Sequence, residues 1–198
     1  GIKIQRPDDF FHDVVDVDLP AEYAVGSIFM PQDDAAREGL VAIFERVLSD
    51  HGLDVVHWRD VPTDNSDLGA TALESEPEVY QAFVVPDGLD SETDAPDLDA
   101  FDRALYVARR AVEAEVDDLD ADGAERFYVC SLSRKTLVYK GLLKGEQLAD
   151  YYTDLTDERL QTTLALVHAR FSTNTLGAWH LAHPYRHIIH NGETNTIQ

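Results

Sequence analysis

Cysteine is almost absent: Cys130 is the one thiol in 198 residues, which excludes an internal disulfide framework and suits a reducing compartment. No apolar run approaches the ~18 residues that a membrane-spanning helix needs. The start, "GIKIQRPDDFF", has neither an initiator Met nor a basic stretch followed by an apolar one, so no secretory leader is visible in it. A soluble, cytoplasmic chain with no membrane partner is the expectation. Positive charge is scarce as well. Sixteen basic residues face 38 acidic ones, for a formal net charge of −22. A nucleic-acid partner is excluded on that ground, because phosphates require a basic face.

What is present is a foldable chain. Apolar residues make up 44% of it, enough for one sizeable core, and together with clear periodicities they argue against disorder despite the charge. The acidity has a particular character: 25 Asp against 13 Glu, and only four Lys against 12 Arg. Dense carboxylates hold water and cations, and their mutual repulsion is screened in concentrated salt. The composition therefore points to a salt-loving source.

Helical and extended patterns alternate along the chain. "YAVGSIFM" (23–30) reads as a buried strand, and Pro31 with Asp33 and Asp34 as a helix start. Leu40, Ile43, Phe44, Val47 and Leu48 recur at three-and-four spacing, giving an amphipathic helix that ends near His51-Gly52. "LDVVHWRDVP" and "VYQAFVVP" read as strands, and "DGLDSETDAPD" as a solvated loop. Phe101, Leu105, Ala108, Val112 and Val116 mark a long helix. "RFYVCSLS" and "KTLVYKG" read as a strand pair, "KGEQLADYY" as a short helix, and "TTLALVHARF" (162–171) as a buried strand. The sum is an α/β or α+β layered fold with about four helices.

The last thirty residues, "HARFSTNTLGAWHLAHPYRHIIHNGETNTIQ", carry unusual polar chemistry. His180, His183, His187 and His190 fall at spacings of three, four and three, as a helical metal site would use, but Pro184 would break that helix and no second ligand cluster accompanies them. No metal is expected. Asn191-Gly192 is by itself a tight-turn signature. Arg170 emerges from an apolar run, and its fork of donors suits a carboxylate held bidentately. Cys130 lies inside an apparent strand with no histidine beside it, which suits a buried, inert thiol.

"VHARFSTNT" followed by "HNGETNT" resembles the class II (N-terminal nucleophile) glutamine amidotransferases. "FYVCSLSRKTLVYKG", "WRDVPTDNSDLG", "EVYQAF" and "FDRALYVARR" extend the likeness, in order, to the glutaminase domain of the glutamate synthase large subunit. The resemblance implies an α+β, four-layer αββα sandwich, incomplete at both ends, with residues 1–198 forming part of one amidotransferase domain. It implies that Arg170 grips the α-carboxylate of L-glutamine and that Thr173 helps to hold it. Asn191, through its side-chain amide, and Gly192, through its backbone N–H, would form the oxyanion hole. Two preorganised donors suit amide hydrolysis, in which negative charge develops on the carbonyl oxygen, and glycine at 192 allows the backbone to approach a ligand closely.

In that family the nucleophile is an N-terminal Cys whose own amine is the base. The chain starts at Gly1, so the resemblance implies an interior excerpt that is inactive alone. It further implies a parent glutamate synthase that passes ammonia to a flavin domain aminating 2-oxoglutarate. FMN and an iron–sulfur cluster would sit in that remaining part, since nothing in these residues binds FMN and one cysteine cannot ligate a cluster. The electron donor would be a small subunit or ferredoxin. A non-catalytic glutamine sensor and a histidine-based metal hydrolase remain as alternatives. The acidic surface generates the first prediction. Because the Debye length shrinks from ~30 Å in dilute salt to ~3 Å at 1 M, the thermal midpoint should rise steeply from low to molar KCl. A flat response would remove the salt argument.

Overall fold

The computed structural model describes residues 1–88, 96–119, 123–169 and 177–187. Among these described residues seven strands form two sheets, both wholly antiparallel. The larger has the order β3 (Leu53–Asp60), β4 (Glu78–Pro86), β2 (Ala24–Met30), β5 (Tyr128–Ser133), and the smaller β6 (Thr136–Tyr139), β1 (Ile2–Gln5), β7 (Ala165–Val167). Five helices accompany them: α1 (Asp8–Val14), α2 (Asp34–Asp50), α3 (Ala70–Glu74), α4 (Leu98–Asp117) and α5 (Gln147–Tyr151). Among the described residues no helix is long and apolar enough to cross a membrane.

The central strand β2 explains the layering. All seven of its residues are buried, and because side chains alternate across a strand they feed two different cores. Val25 and Phe29 join Val79, Phe83, Cys130, Ile4, Leu137 and Tyr139 in a core shared by the two sheets. Ala24, Ile28 and Met30 join Ala82, Val84 and Val129 beneath α2 and α4. A strand buried on both faces is why "YAVGSIFM" shows no polar alternation.

The two long helices begin where their sequences say they should. The Asp33 carboxylate accepts from the Ala36 N–H at 2.9 Å, and that of Asp97 from the Asp99 and Ala100 N–H groups at 3.0 Å, each satisfying donors that a helix start leaves open. Gly52, at φ +73°, turns the chain out of α2 into β3.

Four side chains close the space between the sheets with a polar network. Arg59 of β3 and Gln81 of β4 project into the shared core. Arg59 donates to both oxygens of Asp154, in a 3₁₀ turn at Thr153–Thr156, at 2.7 and 2.8 Å, and to Gln81 Oε1 at 2.8 Å. Tyr139 of β6 donates to Asp154 at 3.0 Å and accepts from Gln81 Nε2 at 3.1 Å. Burial, then the neighbouring Asp154 charge, raises the Tyr139 phenol well above its ordinary range.

The structure departs from the sequence expectation in three places. "TTLALVHARF" yields only the three-residue β7, and it is not buried: it occupies the open edge of the smaller sheet, with Val167 at 64% exposure. The Gln5 N–H is shared between the Leu164 carbonyl at 3.2 Å and the Thr162 hydroxyl at 3.1 Å, where the ladder ends just before β7 begins. "RFYVCSLS" and "KTLVYKG" are consecutive strands but not partners, since β5 belongs to the larger sheet and β6 to the smaller. β1, α1 and α3 have no counterpart in the sequence reading. With four, seven and five residues they are too short to show a period.

The Arg59–Asp154 pair is 11% and 3% exposed, so removing one partner strands a buried charge. Asp154→Ala should cost about 3–5 kcal/mol of stability. The double variant Arg59→Met/Asp154→Ala should recover much of that loss. Urea unfolding of the three proteins checks both statements.

Candidate functional site

The residues proposed from sequence to contact glutamine, Arg170, Thr173, Asn191 and Gly192, lie outside the described residues, as does His190. What the structure establishes is where the chain stands on either side of them. β7 ends three residues before Arg170, with Val167 opposite Ile2 of β1 and the His168 N–H bonded to the Gly1 carbonyl at 2.9 Å. Five residues before Asn191, the carbonyl of Arg186 accepts from Lys3 Nζ of the same strand at 2.5 Å. The His168 and His183 rings stack at 4.5 Å. The described residues nearest the two motifs, His168 and Arg186, are thus both bonded to the beginning of the chain, at Gly1 and Lys3.

Between them runs the segment Gly177–His187, which contains no helix and follows the body of the fold through side-chain anchors. Trp179 is buried, donates Nε1 to the Ala72 carbonyl at 3.1 Å, and meets Phe29 edge-on at 6.1 Å. Its ring lies so close to Gly141 that a Cβ there would approach the indole to 2.5 Å, which is why "YKG" ends in glycine. Lys140, just before, is fully buried and donates Nζ to the His180 carbonyl at 2.7 Å, with the Tyr128 ring 4.4 Å away. Its backbone carbonyl accepts from the Tyr152 hydroxyl at 2.7 Å. At the far end Arg186 donates to Glu113 of α4 at 2.5 Å and to the Val129 carbonyl of β5, and packs over Tyr128 at 4.9 Å.

The regular histidine spacing does not build a helical face. His180 lies against Tyr128 at 5.7 Å, His183 stacks on His168, and the His183–Pro184 peptide is cis. Among the described residues no group of three or more His, Cys, Asp or Glu is arranged to hold a metal. His187 borders a cleft of about 380 Å³ between α4, the β5–β6 turn and Arg186. Its walls carry Lys3, Arg109, Lys135, Arg186 and Asp102, with Lys135 paired to Asp102 and both arginines bonded to Glu113 of α4.

Cys130 is 1% exposed in β5, and burial pushes its thiol up to about 11, opposed by the nearby Lys140 and Arg186 charges. A buried thiol kept protonated at neutral pH is not a nucleophile. Burial also drives Lys140 down to about 8, with Cys130 opposing and Arg186 adding to the fall. Sequence reasoning passed over Lys140, Arg186 and Glu113. The one available signal was a lysine directly after the apolar run "TLVY" in a chain with four lysines.

Residues 1–198 match the family of class II glutamine amidotransferases over their whole length, and the chain belongs to that family. Two antiparallel sheets with a shared core and helices over the larger one are the architecture of its αββα sandwich. Within the family the chain is similar to glutamate synthases. It is 38% identical over 203 residues to the glutamate synthase [NADPH] large chain of Bacillus subtilis, covering 100% of this chain and 13% of the relative. It is 41% identical over 174 residues to the chloroplastic ferredoxin-dependent glutamate synthase of Oryza sativa subsp. japonica, covering 88% and 10%. It is 43% identical over 180 residues to the glutamate synthase [NADH] of Schizosaccharomyces pombe, covering 89% and 8%. The chain thus spans no more than 13% of the length of these relatives.

The Lys140–Cys130 neighbourhood generates a signed pH prediction. The Lys140 ammonium falls from 10.5 to about 8 on folding, so its burial cost is full below pH 8 and is relieved as pH rises towards 10.5. The Cys130 thiol rises from 9.0 to about 11, so its contribution is present below pH 9 and is lost as pH climbs through 11. In the wild type the two trends oppose each other. Relative to wild type, Lys140→Met should steepen the loss of stability as pH rises from 8 to 10.5, and Cys130→Ala should lessen it between 9 and 11. The alkaline loss that the buried Tyr139 contributes is common to all three proteins, and chemical denaturation between pH 7 and 11 reads the differences.

Proposed function

We propose that this chain is the glutaminase part of a glutamate synthase, hydrolysing L-glutamine to L-glutamate and ammonia. What supports the reading is the match of the whole chain to the class II amidotransferases, together with the meeting of the described residues that flank the two motifs at the start of β1. One small substrate has to touch both motifs, so their flanks must share an end of the fold.

In this reading Arg170 and Thr173 bind the amino-acid end of glutamine. A thiolate attacks the side-chain amide carbon, and the oxygen, now negative, accepts from the Asn191 amide and the Gly192 N–H. Preorganised donors of this kind contribute roughly 3 kcal/mol each at the transition state. Collapse of the tetrahedral intermediate expels ammonia and leaves a thioester, which water cleaves to glutamate. Cys130 does not supply the thiol, because it is buried and held protonated. The thiol is assigned to an N-terminal Cys outside these 198 residues, with its own amine as base. Ammonia is then consumed elsewhere in the parent enzyme, to aminate 2-oxoglutarate. The printed names of the relatives divide among NADPH, NADH and ferredoxin, so they select no single electron donor for this chain.

Ammonia release from glutamine by the full-length parent protein tests the proposal. Asn191→Ala should lower kcat by about a hundredfold or more with a smaller change in KM, since the oxyanion exists only at the transition state. Arg170→Ala should chiefly raise KM, because the carboxylate is bound alike before and during reaction. Saturable glutamine binding by calorimetry without ammonia release would replace the enzyme with a sensor.

A further inference from the structure

Lys140 is fully buried, and among the described residues no carboxylate pairs with its ammonium. An unpaired buried charge is costly, so whatever covers Lys140 bears part of that cost. The cover is the segment Gly177–His187. Its His180 carbonyl accepts from Lys140 Nζ at 2.7 Å, its Tyr185 ring lies 5.3 Å from Nζ, and its Arg186 adds a like charge. The other groups facing Nζ belong to the body of the fold: the Tyr128 ring at 4.4 Å and the Cys130 thiol, both of β5. The Tyr152 hydroxyl bonds the Lys140 carbonyl rather than the amine, the Gly1 amine is near enough for mutual repulsion, and Glu113 is engaged by Arg109 and Arg186. The segment has few bonds of its own. Within it the Leu181 and Ala182 N–H groups donate to the Ala178 and Trp179 carbonyls at 3.1 and 3.4 Å. A stretch built this way opens at lower cost than the sheets beneath it.

We propose that Gly177–His187 is a proton-linked strap, which closes most firmly over the neutral Lys140 amine and is loosened when that amine is protonated. This equilibrium is independent of the glutaminase reading. A neutral amine keeps an N–H for the His180 carbonyl, so the hydrogen bond survives in both states while the desolvated charge disappears. Burial holds Lys140 at about 8 under the closed strap, against 10.5 for a hydrated lysine, so the open strap binds the proton more tightly. Closure is therefore weakest below pH 8 and strengthens as pH rises towards 10.5. Neighbouring groups bound this window. The Gly1 amine, lowered to about 6, and His180, also lowered, each by burial and then by Lys140, titrate beneath it. Cys130, pushed up by burial to about 11, and Tyr128, raised by its burial, oppose closure only towards the upper end.

The test is hydrogen exchange of the full-length parent protein between about pH 7 and 9.5, under conditions where closing outpaces exchange. Mass spectrometry reads peptides covering 177–187 and α2, and each rate is divided by the intrinsic rate of an unprotected peptide at the same pH. Protection over 177–187 should change by less than about twofold from pH 7 to 8, and should rise roughly three- to tenfold from pH 8 to 9.5. α2, which packs in the core on the far side of the larger sheet, should be better protected and show no such rise. Lys140→Met removes the titrating group, and Lys140→Gln removes it while keeping an N–H donor for the His180 carbonyl. Both should hold protection over 177–187 level across the range, and Lys140→Gln carries the comparison if Lys140→Met does not fold. Level or falling wild-type protection over 177–187 from pH 8 to about 9.5 would overturn the proposal, as would a rise that persists in Lys140→Gln. So would protection equal to that of α2, because the strap would then open only with the whole fold.

Discussion

The arrangement of the two sheets depends on one buried ion pair. Arg59 and Asp154 sit between the sheets, each shielded from water, and each would be costly to bury alone. Gln81 and Tyr139 complete the set, so the guanidinium and both carboxylate oxygens find partners in the gap. An apolar filling could stabilise the contact equally well, but it would tolerate sliding of one sheet over the other. Directional bonds from β3 and β6 to one carboxylate, with Gln81 of β4 bridging the two donors, permit one relative placement. That placement matters beyond the core: β6 continues into Lys140 and Gly141, which receive the segment carrying Trp179 and His180.

Electrostatics elsewhere follow the same economy of positive charge. With so few cations in so acidic a chain, several arginines are placed where elements meet, while Arg46, Arg110 and Arg159 stay at the surface. Arg134 joins the β5–β6 turn to Asp102 of α4, Arg109 and Arg186 converge on Glu113, and Arg126 reaches carbonyls after α3. Guanidinium groups suit these positions because they bond several acceptors at once and remain charged when partly buried. The carboxylates left over face solvent, where their repulsion depends on the salt around them.

The site was legible in unequal parts. Arg170, Thr173, Asn191 and Gly192 were proposed from short strings and lie outside the described residues, whereas Cys130 was placed in the core because it stood within an apolar strand, and it is buried there. The strand before Arg170 was misjudged, since "LALV" looks the same whether it crosses a core or lies along an open sheet edge. Lys140 and Arg186 were invisible for a related reason. Their importance comes from a carbonyl forty residues away and a carboxylate 73 residues away, separations that leave no periodicity. His180, His183 and His187 show the reverse case, a regular spacing with no helix beneath it, as Pro184 implied.

The sequence by itself determined what local physics can settle: the doubly buried β2, the capped helix α2, the long amphipathic helix α4, and the strings that place the chain among the amidotransferases. Only the tertiary structure decided that β5 and β6 part into different sheets, that β7 is the edge strand of the smaller sheet among the described residues, and that His168 and Arg186 are both bonded to the beginning of the chain at Gly1 and Lys3. Local preferences act over a few residues and can be read along the chain. Which strands pair, and which buried charge meets which, is decided by contacts between distant residues, and those exist only once the sheets have packed.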